Sequence, residues 1–136
     1  MTHQIQASCS CGKVTFQSAE PPIIQMTCHC ADCRSATGND YSNIAFFRTK
    51  VADISGKVAP HQFVANSGNN TQREACPDCG TVMFDKSDGF PMLVGVFAQQ
   101  IEPPFEFNAA AHVWVKSKLP HIEISGPTQF SEEFKT

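Results

Sequence analysis

The chain has 136 residues, of which 41% are apolar and 17% charged, with a formal net charge of −3. That length suits one domain spanning 1–136, and so low a charge content excludes a disordered acidic or basic tail. No run of Lys or Arg offers a phosphate-neutralising surface, so nucleic acid is not an expected partner, and no apolar stretch approaches the ~20 residues of a membrane helix.

The hydrophobic period is mostly two, the signature of strands. Residues 5–9 alternate, and so do 14–17; between them Ser10, Cys11 and Gly12 read as a hairpin-like turn. Pro21 and Pro22 end that unit. A strand is expected at 23–28, followed by one or two helical turns over 31–37, stopped by Gly38, Asn39 and Asp40. Further strands are expected at 42–47, 50–54, 61–65, 72–75, 81–85, 92–97 and 112–115. Residues 67–70 and 86–90 read as turns, and Pro103 and Pro104 forbid a helix through their region. The tail 126–136 is polar with two Phe and either wraps over the sheet or frays. Eleven Phe against one Trp and one Tyr point to a core of buried rings. The expectation is a single, mainly β domain of many short strands.

Seven cysteines dominate the chemistry. The first residues show no apolar core of a secretory signal, so a cytoplasmic location is expected, where clustered thiols bind metal more often than they form disulfides. Cys76-Pro77-Asp78-Cys79-Gly80 is the sharpest local signal. Two thiolates two residues apart grip one ion from a tight turn, which Pro77 presets and Gly80 leaves at positive φ. A tetrahedral site needs two more ligands. Cys9 and Cys11 can supply them, because residues i and i+2 of a strand project to the same side. A structural zinc contributes roughly 10–16 kcal/mol in finger peptides. Domain stability is only about 5–15 kcal/mol, so such a site can decide whether the domain folds.

Cys28, Cys30 and Cys33 remain, on a strand end running into the short helix. Three protein ligands and an open position are the pattern of a catalytic zinc. Four plus three accounts for every cysteine. An alternative split uses His29 to close a second site, although an extended backbone flanked by two metal-facing cysteines would aim His29 away.

The motifs Cys9-Ser10-Cys11-Gly12, Cys28-His29-Cys30-Ala31-Asp32-Cys33-Arg34 with Gly38 after it, and Cys76-Pro77-Asp78-Cys79-Gly80 resemble the glutathione-dependent formaldehyde-activating enzymes, which share a domain with a centromere-associated protein. The resemblance spans nearly the whole chain. It implies a β-tent of short antiparallel sheets, related to the folds of zinc-binding guanine-nucleotide-exchange factors and methionine-sulfoxide reductases. It also implies a structural zinc on Cys9, Cys11, Cys76 and Cys79 and a catalytic zinc on Cys28, Cys30 and Cys33. The reaction it implies is that of a carbon–sulfur lyase, joining a thiol such as glutathione to formaldehyde or another small aldehyde, or cleaving such an adduct.

Arg34, beside the third thiol, is a candidate to hold a substrate carboxylate, and Arg73 a weaker one. His112 is a candidate acid or base, set against an ordinary packed role beside Trp114. The main rival to an enzyme is a zinc-stabilised protein-binding module without chemistry. A methionine-sulfoxide reductase would need a metal-free nucleophilic Cys, and the four-plus-three division leaves none.

Overall fold

The computed structural model describes residues 5–31, 34–35, 38–64, 68–122, 124 and 128–130. Among them the chain forms short strands: β1 (Ile5–Ser8), β2 (Thr15–Ser18), β3 (Ile24–Cys28), β4 (Ser42–Arg48), β5 (Ala52–Ser55), β6 (Ala59–Val64), β7 (Asn70–Ala75), β8 (Val82–Ser87), β9 (Leu93–Phe97), β10 (Ala111–Val113) and β11 (Thr128–Gln129). The mainly β class expected from the period-two pattern is the one observed. No helix among the described residues is long and apolar enough to cross a membrane.

Strands β1-β2-β5 make a small sheet, and the others a large one in the order β11-β10-β3-β4-β9-β8-β7-β6. Pairing is antiparallel except at β10, which runs parallel to both β3 and β11. Directly paired residues share a sheet face. One face of the large sheet therefore presents Phe47 beside Val94, and Ala45, Val96 and Phe84 in one row. The small sheet covers this face with Val14 and Phe16, all of them buried. The Phe16 ring lies 4.9 Å from that of Phe47 and 6.2 Å from that of Phe84, tilted to both, so ring packing joins the sheets.

The opposite face carries a second row across the strands: Ile24, Phe46, Gly95, Asp85, Arg73 and His61. Cys28, at the end of β3, points to this same side with its partner Ser42. Gly95 has a steric role: a Cβ there would stand 2.7 Å from Ile44 Cγ2 and 3.0 Å from Phe46 Cε1. The central strand β9 is accordingly buried on both faces and reads as an almost unbroken apolar run.

Several element limits differ from the sequence reading. The 50–54 strand begins later, because Thr49–Val51 form a 3-10 turn before β5. Strand β6 starts at Ala59 and runs through Pro60. That Pro is tolerated because β6 is an edge strand, where a missing N–H leaves no ladder broken. Strand β8 extends through Lys86 and Ser87, which the loop at 86–90 had claimed. Val115, read as strand, begins a 3-10 turn. Ala31, Arg34 and Ser35 are helical, the N–H of Arg34 donates to Cys30 O and that of Gly38 to Arg34 O, whereas residues 32, 33, 36 and 37 lie outside the described residues. Of the tail, Thr128–Gln129 add a parallel edge strand, and 126–127 and 131–136 lie outside the described residues, as do residues 65 and 67 of the strand and turn expected at 61–65 and 67–70.

Removing the Phe16 ring should cost about 3–5 kcal/mol, the usual range for a fully buried Phe replaced by Ala. Urea unfolding of Phe16→Ala measures it, and a cost under about 1 kcal/mol would show that the rings do not join the sheets. Asp85 provides a pH-dependent counterpart. Burial raises its carboxyl from 3.8 to about 6, against the lowering pull of Arg73. The folded state therefore holds this proton more tightly than the unfolded chain does. The resulting destabilisation is absent below about pH 4, grows between pH 4 and 6, and is complete above pH 6. Asp85→Asn should remove that part of the slope when stability is followed between pH 4 and 7.

Candidate metal centre and thiol site

Four of the seven cysteines converge on one point. The sulfurs of Cys9, Cys11, Cys76 and Cys79 all lie within 4.8 Å of one another. Cys11 Sγ is 3.6 Å from both Cys9 Sγ and Cys76 Sγ. That is close to the ~3.8 Å edge of a sulfur tetrahedron around zinc at about 2.3 Å, and far beyond a disulfide bond. The two pairs arise from similar chain reversals. In the first, the Gly12 N–H donates to Cys9 O and the Cys9 N–H to Val14 O. In the second, the Gly80 N–H donates to Cys76 O and the Cys76 N–H to Thr81 O. Gly12 and Gly80 leave these turns at φ 81° and 75°, a region that disfavours side chains with a Cβ. Cys9 and Cys76 are buried beneath the site, and Cys11 and Cys79 close it from the solvent side. Thr81 knits the halves together, donating to Ser10 Oγ and accepting from the Ser10 N–H.

The thiols here respond strongly to their surroundings. Burial pushes Cys9 up, yet the Val14 N–H and Cys11 pull it further down, and it ends below the usual thiol value. Hydrogen bonding with the Thr81 side chain and backbone lowers Cys79 to about 5. Cys11 is pushed up to about 12: the Lys13 backbone favours its thiolate, but burial and the three neighbouring sulfurs disfavour it more. Sulfurs this close cannot all ionise without a cation between them. The donor set and spacing thus suit one soft divalent ion such as zinc.

The second cluster lies at the far end of β3. Cys28 pairs with Ser42 of β4 on one side and Val113 of β10 on the other. Its sulfur is 3.3 Å from that of Cys30, unbridged. Both residues are buried, with 8% and 6% exposure, against Val113, Met26, Trp114 and Phe130. Cys33, the third proposed ligand, lies outside the described residues. His29 turns to the other side of the chain: its Nε2 is 2.9 Å from His112 Nδ1, and its ring is 5.5 Å from that of Tyr41. Burial, then His112, Lys118 and Arg34, lower His29 to about 4, and burial lowers His112 as well. Both imidazoles are therefore neutral at neutral pH, one donating to the other. His29 Nδ1 is buried with no hydrogen-bond partner.

Arg34 acts here as a brace. Its Nη1 donates to His29 O at 2.7 Å and to Ser117 O at 2.5 Å, which ties the helical turn to the segment after β10. Trp114, in that segment, has φ 56°, the one positive φ among described non-glycine residues. A pocket of about 550 Å³ is lined by residues 38–43, Phe97, Ala98, Gln99 and Phe107. Its link to the cluster is Ser42, the partner of Cys28 across the β3–β4 pair.

The family description "Glutathione-dependent formaldehyde-activating enzyme" matches residues 4–117. A search of curated proteins returned no match. Among solved structures, the chain is similar to a Rhodobacter sphaeroides protein determined as a structural-genomics target. The two share 17% identity at a TM-score of 0.57, covering 92% of this chain and 98% of that one, a likeness of fold.

The convergent quartet makes a stability prediction. A strong zinc chelator should lower the melting temperature by more than about 10 °C, since a few kcal/mol already moves a domain of this size that far. Cys76→Ala should melt at that lower temperature with no further response to chelator. A chelator-insensitive wild type would exclude a structural ion.

Proposed function

The chain belongs to the glutathione-dependent formaldehyde-activating enzyme family, and on that footing we propose that it joins a small thiol such as glutathione to formaldehyde or a similar aldehyde, or cleaves the adduct. The observation that supports this most is the pair of Cys28 and Cys30 sulfurs at 3.3 Å, with Ser42, the strand partner of Cys28, lining a pocket large enough for a small molecule. In the forward direction a sulfur lone pair forms the C–S bond. The carbonyl π pair moves to oxygen, and the proton lost by sulfur ends on that oxygen, so no oxidant or reductant is needed.

Cys28, Cys30 and Cys33 would hold a zinc ion, which supplies what a free thiol at neutral pH lacks: ionisation and a fixed position. The chain's own residues do the rest. Arg34 ties the turn after Cys30 to Ser117 and His29. Ser42, the strand partner of Cys28, lines the pocket. The His29–His112 bond ties the residue between the two cysteines to β10. Preorganised polar groups of this sort lower a barrier chiefly by needing no rearrangement during reaction.

A second reading, a zinc-stabilised binding module, is favoured by the burial of Cys28 and Cys30 against apolar side chains. One pair of variants separates the two. Cys28→Ala should remain folded, release at most one zinc, and lose formaldehyde–glutathione turnover by at least about 100-fold, the upper end of what removing a partner of a metal ligand costs. Unfolding as complete as that of Cys76→Ala would favour the module.

A further inference from the structure

Cys28 ends β3, and Cys30 begins the helical turn in which the Arg34 N–H donates to Cys30 O. Residues two apart on a regular strand are separated by about 6.6 Å, with their side chains roughly parallel. The sulfurs of Cys28 and Cys30 are 3.3 Å apart, so the two side chains converge across His29. His29 is completely buried and is held in three ways. Its N–H donates to Val113 O at 3.1 Å, its carbonyl accepts from Arg34 Nη1 at 2.7 Å, and its ring Nε2 lies 2.9 Å from His112 Nδ1. His112 is itself a firm anchor. It stands between Thr27 of β3 and Gln129 of β11, and its carbonyl accepts the Phe130 N–H.

We propose that His112 is a positioning residue for the Cys28–Cys30 pair: by holding the His29 ring it fixes the bend that brings the two sulfurs together, and so sets how tightly they bind a soft metal ion. The proposal rests on the reading that this pair holds zinc, and adds a residue of a remote strand that governs the hold. Two neutral imidazoles joined by one hydrogen bond need one N–H and one bare nitrogen. His29 Nδ1 is buried with no hydrogen-bond partner. A bare nitrogen tolerates that better than an N–H, because an orphaned buried donor is the rarer case. His29 therefore carries its proton on Nε2 and donates, and His112 Nδ1 accepts. Of the bonds that hold His29, those to Val113 O and Arg34 run through its backbone, and the one to His112 alone runs through its side chain. Without the acceptor, the His29 N–H is left buried and unpaired, which drives the ring and the segment between the sulfurs to rearrange. Groups that orient metal ligands without touching the ion typically govern affinity by about 10–100-fold.

Competition between the zinc-loaded chain and a coloured chelator reads the two ions separately. His112→Leu should weaken the second ion by about 10–100-fold, while the ion of the quartet and the melting temperature stay as in wild type. His112→Asn, whose amide oxygen can accept at the Nδ1 position, should restore the affinity to within about threefold. His29→Leu should match His112→Leu, and the double variant should be no worse than either, because each removes the same bond. If His112→Leu does not fold, His112→Gln takes its place, since it keeps the polarity but sets its amide further out. Unchanged affinity in the disrupted variant, no rescue by Asn, additive losses in the double variant, or joint loss of both ions and of melting temperature would overturn the positioning role. Binding of one ion alone by wild type would refute the zinc reading of the pair instead. Phenylarsine oxide, which bridges two neighbouring thiols with loss of water, then tests the positioning without zinc. It should join Cys28 to Cys30 at least about tenfold more slowly in His112→Leu than in wild type, and equal rates would overturn the proposal.

Discussion

Four sulfurs that cannot all carry charge side by side are the constraint on which the rest of this structure depends. Cys9 and Cys11 leave the end of β1 in the small sheet, and Cys76 and Cys79 leave the end of β7 in the large one. Their convergence sets where the two sheets meet. Beyond it, the sheets are joined by the Phe16 packing and by one isolated bridge between Ala7 and Ile101. The exposed pair Lys13–Asp78 also spans the two turns, but a surface ion pair contributes little, typically under about 1 kcal/mol. A cation among the thiols would turn mutual repulsion into the strongest link between distant parts of the chain. The Thr81 and backbone bonds to the sulfurs and their turns already favour the thiolate form that such an ion requires.

The large sheet divides its labour between faces. One face gives up its side chains to the core under the small sheet, where Phe47, Phe84, Val94 and Val96 are fully buried. The other holds Cys28 at one end of the β3–β4 pair and the row through Asp85, Arg73 and His61 toward the edge hairpin. This separation allows polar and ionisable groups to gather on one face at little cost to packing on the other. It also explains why β9 must be apolar throughout, and why Gly95 sits where Ile44 and Phe46 press inward.

The cysteine motifs and most strands were legible because local rules suffice for both: thiol spacing for a metal half-site, and alternation for a half-buried strand. Limits were missed where a local rule meets a tertiary exception. Pro60 reads as a strand breaker, but an edge position excuses it. Lys86 and Ser87 read as loop, but the ladder with β7 carries them into β8. The His29–His112 pair was not legible at all. The two residues lie 83 positions apart and meet because β10 runs parallel to β3, which sets His112 opposite Thr27. Arg34 shows the same limit: its bonds to the carbonyls of His29 and of Ser117, 83 positions away, follow from tertiary packing and not from its place beside the thiols.

Burial of Cys28 and Cys30 carries a consequence for any reaction there. A cysteine with under a tenth of its surface exposed meets a reactant from few directions, which shields a reactive thiolate from water but restricts access. Gly38 and Ser42 line one opening, and Ser35 and Arg73 another. An addition reaction needs two reactants of different size at one sulfur position. On the proposed reading, the burial of Cys28 and Cys30 bears hardest on the approach of the larger of the two.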